Sequence, residues 1–247
     1  MEKTTFNKEI QLLEEAIYKF PQVLLNLKTE SAIKFVNSYL PYSTGIEIEC
    51  NELPTYKISE FQNIPDIMEV GSTKDEQRFR IPNGLKGLIC LYNICEKLHT
   101  NCSLNMGSGI HYHIDMTDVA DLVFNREFIV KHNDYIIGEL IKWNTAKKLD
   151  SNANCNLDCR GWVNFQSGFK TMEIRIGEMA FDYPTLVKRI IDGNRIAKHI
   201  KGFTNKAEKL IDIEKQMKQL FLESKTEIED LNIHSYKQII NSRIIKV

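Results

Sequence analysis

Polar residues set two apart, with apolar residues between them, are where this sequence could do chemistry. Glu47 and Glu49 alternate with Ile46, Ile48 and Cys50; His111 and His113 alternate with Ile110, Tyr112 and Ile114; Glu173 and Arg175 alternate with Met172, Ile174 and Ile176. A β-strand projects positions i and i+2 from one face, so each pair reads as a strand's polar face and the apolar residues as its core face. Glu76, Arg78 and Arg80 against Gln77, Phe79 and Ile81, and Trp162, Asn164 and Gln166 against Val163 and Phe165, extend the pattern to five strands. Joined in one sheet, such strands would crowd carboxylates, imidazoles and guanidiniums onto one face. The carboxylates would repel one another unless a cation sat among them, and hard divalent cations prefer oxygen ligands. Magnesium binds through a few carboxylates plus substrate phosphates, whereas manganese also accepts imidazole. The arginines suit a phosphate, whose oxygens a guanidinium fork can hold two at a time. The plain alternative is a solvent-facing side of an antiparallel sheet. Such faces favour Thr, Lys and Ser, and here Glu, His and Arg dominate.

The elements that must position these residues follow from periodicity. Apolar residues at helical spacing predict helix over 7–38, interrupted at Pro21. Strands are expected over Ile46–Cys50, Glu76–Ile81, Gly109–Met116, Trp162–Gln166 and Thr171–Ile176, with Gly71–Lys74 turning the chain into the second of them. The stretch before Ile67 reads as loop, Leu85–Leu98 as an amphipathic helix, and 118–149 as a long helical region broken near His132-Asn133. The Asn-rich segment 151–156 reads as a mobile loop that could cover the site, and Pro184 onward as helix. Mixed order and hairpin connections predict an α+β fold with helices covering one side of a mostly antiparallel sheet. A single domain is expected over 1–247: a helical N-terminal extension (1–40), a sheet core (41–182) and C-terminal helices (183–247).

Composition narrows the function classes. The 247 residues are 43% hydrophobic and 26% charged, with formal net charge −1, so no basic excess points to nucleic acid. No signal-peptide layout opens the chain, no run reaches the roughly 20 apolar residues that span a bilayer, and six cysteines lack a regular framework. A cytoplasmic protein with free thiols, no membrane or nucleic-acid partner and a possible homo-oligomeric state is the expectation.

In their order, Gly45-Ile-Glu-Ile-Glu49, Gly109-Ile-His-Tyr-His-Ile-Asp115 and Thr171-Met-Glu-Ile-Arg-Ile176 resemble the amidoligase family. These are carboxylate–amine ligases of the glutamine synthetase and gamma-glutamylcysteine synthetase type. The resemblance covers about residues 45–180. It implies about six antiparallel strands curved into a partial barrel, with helices on the convex side and ATP with Mg²⁺ or Mn²⁺ on the concave face. The implied reaction forms an amide from a small-molecule or peptide carboxylate and an amine through an acyl phosphate. Carried over, Glu47, Glu49 and Glu173 would be metal ligands, with Glu47 and Glu173 also catalytic. His111 or His113 would complete a metal shell or touch phosphate, and Arg175 would neutralise the transferring phosphoryl group. Glu76 is the choice for the family's middle acidic ligand, with Asp75 and Glu69 as rivals. Family members often follow that residue with Ser-Pro, where this chain has Gln77-Arg78-Phe79-Arg80-Ile81-Pro82. Arg160, Asn164 and Arg80 are candidate nucleotide or substrate contacts.

Two other readings stand beside the ligase. His111, His113 and Asp115 could ligate zinc in a metal-dependent hydrolase, and a non-catalytic binding protein could keep the same sheet.

Overall fold

Alternation of apolar and polar residues produces an α+β fold in a computed structural model, which describes residues 12–49, 55–73, 76–101, 109–142, 153–178, 180–204, 218–224 and 227. Seven strands form one open, mixed sheet: β1 (Thr44–Ile48), β2 (Glu69–Ser72), β3 (Gln77–Ile81), β4 (Gly109–Asp115), β5 (Cys155–Leu157), β6 (Val163–Gln166) and β7 (Thr171–Glu178). Their order is β2-β3-β1-β4-β7-β6-β5, so the three paired-residue strands β1, β4 and β7 are adjacent at the centre. Every neighbouring pair is antiparallel except β5 and β6.

One face of this sheet is largely apolar, with Thr44 and Gln77 as its buried polar members. Ile46, Ile48, Phe79, Ile81, Ile110, Tyr112, Ile114, Phe165, Met172 and Ile174 are all buried, each burial stabilising the fold by roughly 1.5–3 kcal/mol for a large side chain. The helices are α1 (12–19), α2 (Glu30–Asn37), α3 (Thr55–Gln62), α4 (Gly84–Asn101), the short α5 (Ala120–Val123), α6 (Arg126–Ile141) and α7 (Tyr183–Thr204). Helix α7 packs on β4 and β7, and α4 packs on β3 and on α7. Leu186, Val187, Ile190, Ala197 and Ile200 form the buried stripe of α7 at the spacing an amphipathic helix requires. The buried Asn194 interrupts that stripe and docks it: its Nδ2 donates to Thr44 Oγ1 (3.1 Å), and its Oδ1 accepts from the Tyr42 N–H (3.1 Å). This ties the helix to the start of β1, as a buried amide must be satisfied.

Several elements differ from the expectation. The sheet has seven strands rather than about six. The additional one, β5, begins in the segment read as an Asn-rich loop and runs one residue past it: Cys155 is buried there, and its N–H donates to Asn133 Oδ1 at 2.9 Å. Its parallel pairing with β6 is joined only by residues 158–162, far less than the dozen or so usual for parallel neighbours. Asp158, at φ 51°, turns the chain back, and both strands are short. Helix α3 occupies part of the stretch read as loop, and Gly71 lies inside β2 rather than in a turn. The break in the 118–149 region falls at Phe124-Asn125, not at His132-Asn133. Asn125 caps α6 by accepting the Phe128 N–H (2.8 Å), and the helix then runs through His132, whose ring packs against Phe128 and Phe203. Asp75, Cys50, Cys102 and most of the helical region expected beyond residue 204 lie outside the described residues. Cys90, Cys95 and Cys155 are buried free thiols and Cys159 an exposed one. Among the described residues no helix is long and apolar enough to cross a membrane.

Candidate functional site

Register, more than sequence proximity, assembles the site. Glu47 on β1 lies opposite His111 on β4 and Arg78 on β3, while His113 on β4 lies opposite Gly45 on β1 and Glu173 on β7. Glu173 in turn faces Asn164 on β6. The polar faces of five strands therefore merge into one surface, which floors a cavity of about 430 Å³. Gly45 keeps that floor low. A Cβ there would come within 3.1 Å of His113 Cβ, so a side chain at this position would crowd the imidazole and fill the cavity.

At the centre stand two carboxylates and two imidazoles. His111 Nδ1 lies 3.4 Å from Glu47 Oε2 and 3.5 Å from Glu173 Oε1, and its Nε2 lies 3.5 Å from Glu49 Oε1. His113 Nε2 lies 3.4 Å from Glu47 Oε1 and 3.9 Å from Glu173 Oε1. Glu173 is only 1% exposed. Its Oε2 accepts from Asn164 Nδ2 (3.0 Å) and Gln166 Nε2 (2.6 Å), and its Oε1 pairs with the Arg175 guanidinium. Glu47 Oε1 also lies 3.4 Å from Arg78 Nε. The imidazoles of His111 and then His113, acting against burial and aided by Arg78, hold the Glu47 carboxyl far below the usual carboxylate range. At the end of β4, burial pushes the Asp115 carboxyl up. The Thr117 hydroxyl and N–H, with Lys201 and Arg80, outweigh that and hold it below its ordinary value.

Glu47, His113 and Glu173 could hold a metal ion, because one ligand atom from each lies within 4.8 Å of the others. The buried His113 Nε2 makes no hydrogen bond. An imidazole nitrogen left without a hydrogen bond beside two carboxylates fits a cation, since two carboxylate oxygens and one imidazole nitrogen are a donor set that magnesium, manganese or zinc accepts.

The expected site residues divide accordingly. Glu47, His111, His113, Glu173 and Arg175 converge. Glu49 sits one step further along, with Oε2 accepting the Gly109 N–H (2.8 Å) and Oε1 facing His111. Glu76 pairs with Arg78 and falls outside both the metal-capable group and the cavity, whereas its rival Glu69 lines the cavity opposite Arg80. Arg80 also lines the cavity. Asn164 turns to Glu173 and to the Cys159 N–H (3.1 Å) rather than toward a ligand. Arg160 is exposed in the β5–β6 connection, away from the cavity lining. Asp115 does not join the two histidines in a metal-capable group; its Oδ1 accepts the Thr117 N–H and hydroxyl (2.9 and 2.6 Å).

Residues that had received no role also belong here. Arg78 and Gln166 share strand faces with assigned residues, and that two-residue spacing was the available signal. Thr171 and Phe169 had none: Phe169 is 79% exposed at the β6–β7 turn and reaches the cavity through the hairpin's shape. No family model, curated protein or solved structure matches this chain.

Proposed function

We propose that the protein is an ATP-dependent carboxylate–amine ligase whose reaction centre is the polar face of β1, β3, β4 and β7. The observation that carries this reading is the convergence, on one cavity, of a carboxylate–imidazole–carboxylate group with three arginines, Arg78, Arg80 and Arg175. A zinc-type hydrolase has use for the former but not for the latter, whereas a metal–triphosphate needs both. The finer shape, a sheet curved into a partial barrel with the polar face concave, is part of the proposal.

In the proposed reaction a substrate carboxylate oxygen attacks the γ-phosphorus of ATP, and the bond to the ADP oxygen breaks. The amine nitrogen then attacks the acyl carbon, the bond to the phosphate oxygen breaks, and phosphate leaves. From an ammonium and a carboxylate the products are amide, ADP, hydrogen phosphate and one proton. Glu47, His113 and Glu173 would hold the divalent cation, which supplies positive charge to the phosphate oxygens. Arg78, Arg80 and Arg175 neutralise the phosphoryl group as charge builds on its oxygens. Asn164 and Gln166 fix the Glu173 carboxylate so that Oε1 faces His113 and Arg175. Positioning and charge compensation supply most of the rate in such a transfer.

The test is a thermal-shift and calorimetric titration with ATP, with and without Mg²⁺ or Mn²⁺. A metal-dependent rise in Tm is expected, because a ligand that binds only the folded state stabilises it by mass action. The rise should be lost in Glu173→Ala and in Glu47→Gln. Absence of any nucleotide effect in the wild type with either metal would retire the ligase reading.

A further inference from the structure

One end of the cavity is built differently from the metal-capable centre. Gln166 on β6 pairs with Thr171 on β7, Thr171 pairs with Asp115 on β4, and the Asp115 N–H donates to the Ser43 carbonyl (3.2 Å) just ahead of β1. These four residues form a cross-strand row on the polar face, and all four line the cavity with Thr117 and Phe169. The row lies one pleat beyond His113 and Glu173, about 6–7 Å along the strands at the usual rise per residue.

The groups in this row are hydrogen-bond acceptors or hydroxyls. Asp115 supplies a carboxylate that none of the ion pairs among the described residues engages. Lys201, a neighbouring cation from α7, pairs with Asp118 and lies 3.6 Å over the Tyr42 ring. Gln166 spends its amide nitrogen on Glu173, which leaves its Oε1 as a buried acceptor with no hydrogen bond. An orphaned buried acceptor costs about 1–3 kcal/mol, so a donor that fills it is stabilising. The exposed side chain of Phe169 lines the same cavity. Its hairpin is anchored through Ser167, whose N–H and hydroxyl donate to the Asp158 carboxylate (2.8 and 2.5 Å), and through the Lys170 carbonyl, which accepts the Met116 N–H (2.9 Å).

We infer that this row is the amine subsite, and that it takes a primary amine as its ammonium ion, carried on an aliphatic stem that lies against Phe169. The ammonium supplies three donors, which suit the Asp115 carboxylate, Gln166 Oε1 and the Thr171 hydroxyl. An aromatic face beside a cation adds a further attraction. A carboxylate would meet Asp115 as a like charge, so the acid substrate belongs beside Arg78 and Arg175, whereas Arg80 and Lys201 are the cations that Asp115 itself offsets. One pleat of separation sets the nitrogen beside the centre where the acyl group would be activated. The assignment names the amine class for the proposed ligase and rests on that reading for its role in turnover, while the binding itself is independently measurable.

The experiment uses the full chain with Mg²⁺ and a non-hydrolysable ATP analogue, titrated with n-butylammonium and with 1-butanol by calorimetry and saturation-transfer NMR. Butylammonium should bind and butanol should not. Asp115→Asn should weaken butylammonium at least tenfold, and Phe169→Ala, at an exposed turn, severalfold. Equal binding of butanol, or unchanged butylammonium affinity in Asp115→Asn and Phe169→Ala, would overturn the subsite. Binding of the nucleotide analogue without any binding of butylammonium would overturn it while leaving the ligase reading in place. Asp115-dependent butylammonium binding with no nucleotide binding would uphold the subsite and remove the ligase. Binding of neither would sink both.

Discussion

Asn164 links the buried Glu173 carboxylate to a backbone N–H of the β5–β6 connection. Its Nδ2 serves the buried Glu173 carboxylate and its Oδ1 takes the Cys159 N–H, so one amide ties the β5–β6 connection to the centre of the site. Substituting Asn164→Leu keeps the approximate volume and leaves both partners short of a hydrogen bond. The expected cost is about 1–3 kcal/mol, read as a lower midpoint in urea unfolding, together with a smaller metal-dependent shift with ATP. A cost within the few tenths typical of a surface position would show that Glu173 is held by Gln166 and Arg175 alone. The same logic separates residues whose role was legible from those whose role was not. Glu47, His113, Glu173 and Arg175 announce themselves by type and by two-residue spacing. Asn164 shares that spacing, yet whether its amide meets a ligand or a carboxylate depends on which strand lies beside β6.

Elements are set by local chemistry where a cap or a turn is strong, and α6 is the clear case. His132-Asn133 looked like an interruption because neither residue favours a helix interior. Asn125 instead supplies the N-cap, with Glu127 in the first turn, and tertiary packing of His132 between Phe128 and Phe203 carries the helix through. Asn125→Ala should therefore cost about 1 kcal/mol, seen as a lower thermal midpoint, with the 222 nm helical signal of the folded protein retained. Strand β5 shows the opposite situation. Cys155-Asn156-Leu157 is too short and too polar to declare itself, and it becomes a strand because Asn133 from α6 and the edge of β6 accept it. A register shift between β4 and β7, between Ile110 and Tyr112, likewise leaves no trace in the pattern. Such irregularities re-aim side chains next to functional sites, and Arg175 sits in this one.

For the whole molecule, the sheet separates two environments: a polar face that carries charge and a helical layer that excludes water. His132 belongs to the second. Burial, then Lys131 and His199, hold its imidazole below the ordinary value of 6.5. The unfolded chain therefore binds a proton at a pH where the folded chain does not, so stability must rise with pH through this interval. The contribution is fully present above about pH 6.5 and is lost as pH falls below it through the folded value. Unfolding by urea at pH 7.5 and pH 5.5 should show a drop in stability that His132→Gln reduces; an identical drop in the variant would assign the effect elsewhere. The ring stacks of His199 on Tyr135 and His132 on Phe203 join α6 to α7, so protonation of His132 would loosen the layer that backs β4 and β7.

Sequence alone determined the mixed α+β character, five strand positions to within a residue or two, the apolar and polar faces of those strands, and the residue types available for metal and phosphate. Periodicity is a local property, and a strand's two faces follow from its own residues whatever its neighbours are. The tertiary structure decided strand order, register and the meeting of side chains distant in the chain. It brought β1, β4 and β7 side by side, paired His113 with Glu173 and Glu47 with His111, and set Glu76 aside in favour of Glu69 at the cavity. Pairing depends on turns, caps and the packing of α4 and α7 on the opposite face, none of which is encoded within any one strand. The chemistry a residue can do is written in its side chain; the partner it does it with is settled by which strand the sheet sets beside it.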